Sequence, residues 1–264
     1  MNDDLRRGAL RALRAATVDE RLRLTRELGE GVHACDTALR LVDPGDVPGR
    51  PPRPVLVPPG SVAQRAVGSK EGRAALLHAL AHIEFNAIGL ALDHLWRFAG
   101  LPEPYYRDWA RVAVEEAHHF ELLRQRLREA GHDYGDLPAH DGLWELAART
   151  SEDALARMAL VPRTLEARGL DASPAVRAKL AAVGDHESAR VLDLILHDEI
   201  GHVAIGNRWY RFLCERQGVD PSSAYRRLVR HLRAPRLRGP LNVEARRQAG
   251  FTDDEIDELQ QSAR

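Results

Sequence analysis

The strongest constraint on the fold is a pattern that occurs twice in the sequence. A glutamate is followed three positions later by a histidine, inside an otherwise apolar helical stripe, first in residues 112–123 and again in residues 195–203. Residues three apart share one face of an α-helix. Two such pairs on two long helices are typical of a metal site built in the core of a helical bundle.

Composition excludes several classes of protein. The chain has 264 residues, 44% of them apolar and 29% charged, with a formal net charge of −1. That balance favours neither a nucleic acid nor a membrane as partner, and no apolar run approaches the roughly 18 residues that span a bilayer. Two cysteines far apart in sequence, Cys35 and Cys214, exclude a disulfide framework, so the cytoplasm is the expected compartment.

Helical periodicity throughout the chain predicts an all-α fold of three regions. Residues 1–60 are predicted to hold N-terminal helices and a Pro-rich strap, anchored by the apolar side chains of residues 55–57. Residues 61–217 are predicted to form a four-helix bundle, whose third helix is kinked at Pro162 and closed at Gly169. Residues 218–264 form an Arg-rich helical extension, predicted to pack on the bundle.

The second bundle helix contains two overlapping pairs, Glu115 with His118 and Glu116 with His119. Helical phase decides between them, because only one pair shares a face with the apolar residues of that helix. Glu116 and His119 are therefore predicted to point inward. The predicted inward stripe comprises Val112, Glu116, His119, Phe120, Leu123 and Leu127.

A carboxylate-bridged di-metal site needs a glutamate from each of two helices and a Glu-x-x-His pair from each of two others. Glu84 and Glu166 are the single glutamates on apolar faces, although Pro162 blurs the helical phase near Glu166. One such pair on an exposed helix is usually without function, whereas four buried carboxylates would cost several kcal/mol each without a cation. The predicted metal ligands are Glu84, Glu116, His119, Glu166, Glu199 and His202.

Other polar residues have two interpretations each. Asp198 either orients a ligating histidine or is a solvated carboxylate. His78 and His82 are each either a surface residue or a residue that supports the metal ligands by hydrogen bonding. The basic residues after Gly218 either bind an anionic substrate such as RNA or pair with acidic bundle faces, which we favour. These are Arg226, Arg227, Arg230, Arg233, Arg236 and Arg238.

Several segments together resemble an uncharacterised bacterial ferritin-like family, distantly similar to tRNA-modifying di-iron hydroxylases. The resemblance is carried by residues 82–84, 114–120, 158–170 and 198–206, and by the tail 239–251. It implies a ferritin-like bundle with a di-iron site on the same six ligands. It implies no substrate.

We therefore expect a non-haem di-iron oxidoreductase, with manganese as the alternative metal, that uses O₂ to hydroxylate or oxidise an organic substrate. The expected partners are O₂, an electron donor, and a small molecule or RNA as substrate; no membrane is expected, and a homodimer is left open. One alternative is a ferroxidase or peroxide-scavenging protein. Another is a binding protein whose metal only stabilises the fold, and which is not an enzyme.

Overall fold

The computed structural model describes residues 4–61, 65–235, 237 and 239–262. Arg236 and Arg238, which belong to the predicted Arg-rich extension, lie outside the described residues. The chain divides into two compact units, Met1–Trp144 and Glu145–Arg264. The three predicted regions, with boundaries at residues 60 and 217, stay a prediction.

The first unit contains two short helices, two long ones and the beginning of a fifth. α1 and α2 carry side-chain caps at Asp4 and Thr17, whose oxygens accept backbone N–H groups of the first turn. The long helices pack as a pair, joined by a turn at Gly100 with φ of 77°. The helices are α1 (Leu5–Arg14), α2 (Val18–Gly29), α3 (Lys70–Arg97), α4 (Glu103–Glu129) and α5 (Gly142–Arg149), which continues past Trp144.

The second unit is built on one long helix, α8, against which the preceding helices and the C-terminal helices of this unit pack. A six-residue π-helical segment, Val161–Glu166, interrupts the helical stretch before it. The α-helices are α6 (Ala154–Leu160), α7 (Ala167–Ala182), α8 (His186–Gln217), α9 (Pro221–His231), α10 (Val243–Gln248) and α11 (Asp253–Ser262).

The described residues contain no strand, only an isolated parallel bridge between Leu56 and Ala139, so the all-α prediction is confirmed. The predicted helix end at Gly169 is wrong, because α7 continues through it to Ala182. A glycine inside a helix costs only about 1 kcal/mol, which packing readily offsets. The break lies at Gly184 instead, whose φ of 84° ends the helical path. The ferritin-like four-helix bundle draws helices from both units and stays a prediction.

α3 is the one helix among the described residues that is long and apolar enough to cross a membrane. The mean hydropathy of its most apolar 18-residue window is 1.4, and 61% of that window is buried inside the structure. The helix also buries charged and titratable side chains, among them Glu84 and Asp93. These features are those of a core helix.

The Pro-rich strap is held by backbone pairing, and the predicted apolar anchoring is wrong for Val55 and Leu56, whereas Val57 is half-buried. Val55 and Leu56 are 63% and 40% exposed. The N–H of Val57 donates to the carbonyl of Ala139 (2.8 Å), and the N–H of Ala139 donates to the carbonyl of Val55 (3.0 Å). Arg50 adds two charge-assisted hydrogen bonds to Asp141.

A buried arginine in α1 ties three segments of the first unit together. Arg6 is 0% exposed, and its guanidinium donates to the carbonyls of Leu95 (3.3 Å), Trp96 (2.8 Å) and Asp36 (3.1 Å). It also lies 4.9 Å from the centre of the Tyr106 ring. Carbonyl oxygens at the end of α3 and in the segment after α2 thus obtain their donor from one side chain.

We expect Arg6→Met to lower the free energy of unfolding by about 3 kcal/mol, because several buried carbonyls lose their donor. The neighbouring Arg7 is exposed, so Arg7→Met should change stability by no more than about 0.5 kcal/mol. Urea unfolding followed by circular dichroism compares the two variants. Equal stabilities would contradict the role of Arg6.

Candidate metal centre

α4 presents one of its two overlapping pairs to the core. Glu116 and His119 are both 0% exposed, whereas His118 is exposed and Glu115 is half-buried. This is the burial that the helical phase predicts. Because α4 is regular along its whole length, the two inward side chains lie one turn apart on the face that packs against α3.

α3 adds a second buried carboxylate to this pair. Glu84 is 5% exposed, and its Oε2 lies 3.7 Å from His119 Nδ1, which in turn lies 3.4 Å from Glu116 Oε2. One ligand atom from each of the three residues lies within 4.8 Å of the others. Ligand atoms about 2.0–2.2 Å from a shared metal ion are separated from one another by distances of this order. This buried cluster could therefore hold a metal ion.

The electrostatics of the cluster favour a cation. Burial lowers the pKa of His119, but hydrogen bonds and charges from Glu116 and Glu84 outweigh it and raise the pKa to about 11. In the metal-free protein the imidazole is thus in its protonated, positively charged form and lies close to two carboxylates. A metal ion would compete with that proton, because the ligating form of histidine is neutral.

The second unit contains the matching Glu–His pair on α8. Glu199 is 8% exposed and His202 is 1% exposed, and the Nδ1 of His202 lies 3.8 Å from the Oε1 of Glu199. The pair has the same spacing and composition as Glu116 and His119. The structure therefore buries both predicted pairs.

Glu166, the sixth predicted ligand, is half-buried at the end of the π-helical segment. The sequence predicts a kink at Pro162, and the structure has a π-helical turn there. Pro162 lacks a backbone N–H, and the hydroxyl of Thr164 donates to the carbonyl of Ala159 (2.8 Å). The wider turn contains one extra residue, which rotates the side chains after it by about 100° relative to a continuous α-helix.

His78 and His82 are buried, at 1% and 8% exposure, so the surface alternative is wrong for both. The Nε2 of His82 lies 3.0 Å from the carbonyl of His140, and its Nδ1 lies 2.8 Å from the Tyr134 hydroxyl. The N–H of Gly135 donates to His78 Nε2 (3.0 Å). Both histidines hold the loop after α4, and the support of metal ligands by His82 stays a prediction.

The remaining predicted residues lie at the surface or close to it. Asp198 is half-buried on α8, and its orienting role stays a prediction. Arg226 pairs with Glu258 of α11 (2.7 Å), which does not belong to a predicted bundle helix. An anion-binding role for the basic residues also stays a prediction. The exposed arginines are Arg226, Arg227, Arg230 and Arg233.

Sequence reasoning missed two features near the predicted ligands. Phe85 and Phe120, the chain neighbours of Glu84 and His119, pack on the ring of Tyr134, with ring centres 5.3 and 5.0 Å away. The available signal in the sequence was that a phenylalanine directly follows each of these two predicted ligands. The second feature is the buried Arg163, which no local pattern distinguishes from a solvated arginine.

A family profile described as "Protein of unknown function (DUF455)" matches residues 14–257, which is most of the chain. The chain belongs to the DUF455 family. A relative from Haemophilus influenzae (strain ATCC 51907 / DSM 11121 / KW20 / Rd), described as "Uncharacterized protein", is 44% identical over 259 residues, covering 93% of this chain and 90% of the relative. No solved structure matches the chain.

Membership in DUF455 confirms the prediction that the chain belongs to an uncharacterised family. All six predicted ligands, from Glu84 to His202, lie within the range that the DUF455 profile matches. The DUF455 description names neither a ferritin-like fold nor iron, so both remain proposals.

Proposed function

We propose that this protein is a non-haem di-metal oxidoreductase that uses O₂ to oxidise or hydroxylate an organic substrate. The observation that carries the proposal is the buried cluster of Glu84, Glu116 and His119. The proposed cofactor is a pair of iron ions, with manganese as the alternative. The proposed ligands are Glu84, Glu116, His119, Glu166, Glu199 and His202.

The chemistry of the donor set supports a pair of divalent cations. Four carboxylates and two neutral imidazoles balance the formal charge of two such ions, which offsets the cost of burying the carboxylates. Carboxylate and imidazole ligands suit iron and manganese. The set contains no thiolate, so it differs from the cysteine-rich sites of structural zinc.

The bound metal pair would supply the reduction of O₂. The chain's own residues supply the rest of the site. Glu84 and Glu116 both place negative charge close to His119 Nδ1, whose proton would leave if a metal ion bound there. Phe85 and Phe120, the chain neighbours of Glu84 and His119, pack against each other and against Tyr134, and this aromatic cluster would limit the access of water to the ligands.

The proposal predicts that iron-loaded, reduced protein consumes O₂ in proportion to its iron content, measured with an oxygen electrode. His119→Ala, which removes a proposed ligand, should abolish this consumption. If iron binds and stabilises the fold but no O₂ is consumed, the oxidoreductase proposal fails and the metal-stabilised binding protein is favoured.

The same experiment separates the alternatives within redox chemistry. Repeated turnover of added ferrous iron, with no other substrate, would favour a ferroxidase. Stoichiometric consumption of peroxide would favour a scavenger. Consumption of O₂ that requires an added electron donor would favour an oxygenase. Its proposed substrate is a small molecule or RNA.

A further inference from the structure

Arg163 lies in the middle of the π-helical segment, three residues before Glu166, and its side chain is 3% exposed. Its guanidinium carbon lies 5.1 Å from the ring centre of Tyr210, 5.2 Å from that of Tyr225 and 4.5 Å from that of Phe251. Three aromatic rings thus surround one cation. Two of them belong to the C-terminal tail, which we define as residues 218–262.

The hydrogen-bonding groups of Arg163 lead to the same tail. Its Nη2 lies 2.6 Å from Oε1 of Glu255 in α11, and its Nη1 donates to Oδ1 of Asn207 (2.5 Å). The amide nitrogen of Asn207 donates in turn to the carbonyl of Ala249 (2.8 Å). Burial opposes ionisation of Glu255, but the charges of Arg163 and Arg211, with the hydrogen bond from the backbone of Thr252, together outweigh it and lower the pKa of that carboxyl.

A further contact joins the π-helical segment to α9. The hydroxyl of Thr164 donates to the carbonyl of Ala159 and therefore accepts a hydrogen bond from the Tyr225 hydroxyl, 2.9 Å away. The tail thus contacts two consecutive residues of the segment. A π-helical turn is less stable than a regular α-turn and persists where its surroundings hold it.

We propose that Arg163 is a positioning residue through which the C-terminal tail holds the π-helical turn and sets the direction of Glu166. The proposal rests on the proposed function, in which Glu166 is a metal ligand. Without the contacts of Arg163, the π-helical segment can convert to a regular α-helix. The side chains that follow the segment would then point in a direction that differs by about 100°.

Arg157 offers a matched control. It is a 0% exposed arginine in α6, and it donates to the hydroxyl of Thr150 (2.8 Å) and the carbonyl of Ala147 (2.6 Å). Thr150 and Ala147 lie outside both the π-helical segment and the tail. Arg157→Met therefore reproduces the loss of a buried arginine but keeps the contacts between Arg163 and the C-terminal tail.

The first test is hydrogen exchange of the metal-free, full-length protein. In Arg163→Met the amides of residues 163–166 should exchange roughly tenfold faster than in the unaltered protein, relative to the amides of α8. Arg157→Met should leave this ratio unchanged. Arg163→Lys keeps the charge beside Glu255 and serves if the methionine variant does not fold. An unchanged ratio in the Arg163 variant would overturn the proposal.

The second test is metal content after reconstitution with ferrous iron. Arg163→Met should hold about one iron per chain where the unaltered protein and Arg157→Met hold about two. Faster exchange with unchanged metal content would overturn the link to Glu166. If the unaltered protein binds no metal, the proposed function fails, and hydrogen exchange alone decides whether Arg163 holds the π-helical turn.

Discussion

His119→Ala is expected to weaken metal binding by roughly 100-fold or more, whereas His118→Ala leaves it unchanged. The two histidines are adjacent in sequence, but His119 is 0% exposed between Glu84 and Glu116, and His118 points to solvent. Alanine at position 119 removes an imidazole ligand and leaves two buried carboxylates close together. Isothermal titration with ferrous or manganous ions measures the difference.

The adjacent glutamates provide an independent matched pair. Glu116→Gln removes a buried negative charge from the proposed site, while Glu115→Gln alters a half-buried carboxylate about 100° away around α4. Only the first should lose metal, and circular dichroism of each variant shows whether its helices are intact. Equal metal affinity in both members of either pair would contradict the proposed ligand set.

Gly206→Ala is expected to destabilise the second unit by about 3 kcal/mol, because the new methyl group overlaps the ring of Pro162. An added Cβ would lie 2.7 Å from Pro162 Cγ and closer still to its Cβ. The ring cannot move away independently, since it belongs to the backbone of the π-helical segment. Close packing of α8 on this segment therefore requires glycine at position 206.

Gly201→Ala is the control for this substitution. Gly201 lies in the same helix, is exposed, and an added Cβ would meet nothing within 4 Å. Alanine there should stabilise α8 by about 0.5–1 kcal/mol through its higher helix propensity. Urea unfolding of the metal-free protein compares the two. If Gly206→Ala has the same free energy of unfolding as the unaltered protein, the packing of Pro162 against α8 is contradicted.

Regular helices allowed the sequence to predict much of the candidate site. The face of α4 that contains Glu116 and His119 followed from 3.6-residue periodicity, because no residue in that helix interrupts it. Periodicity does not extend through Pro162, where the π-helical turn adds a residue. The direction of Glu166 therefore depends on tertiary packing that a local pattern does not contain.

Buried arginines were the main failure of the sequence interpretation. Arg6 and Arg163 occur in stretches that resemble ordinary amphipathic helix, where arginine usually faces solvent. Their partners are distant in sequence: Arg6 binds the carbonyl of Trp96, and Arg163 pairs with Glu255. Burial of a guanidinium depends on such partners, so it becomes visible only in the folded chain.

The strap shows the same limitation for backbone interactions. The apolar run at residues 55–57 predicted side-chain anchoring, but only Val57 is half-buried, Val55 and Leu56 are exposed, and the backbone pairs with Ala139. Backbone hydrogen bonds between segments some eighty residues apart leave no pattern in the residue types.

The central claim, a di-metal site on six named residues, is tested most directly by the metal content of the reconstituted full-length chain. We predict about two iron or manganese ions per chain by inductively coupled plasma mass spectrometry. We also predict that the metal is lost on simultaneous replacement of Glu116 and Glu199 by glutamine. A chain that takes up no metal, or a double variant that retains the full amount, would contradict the account.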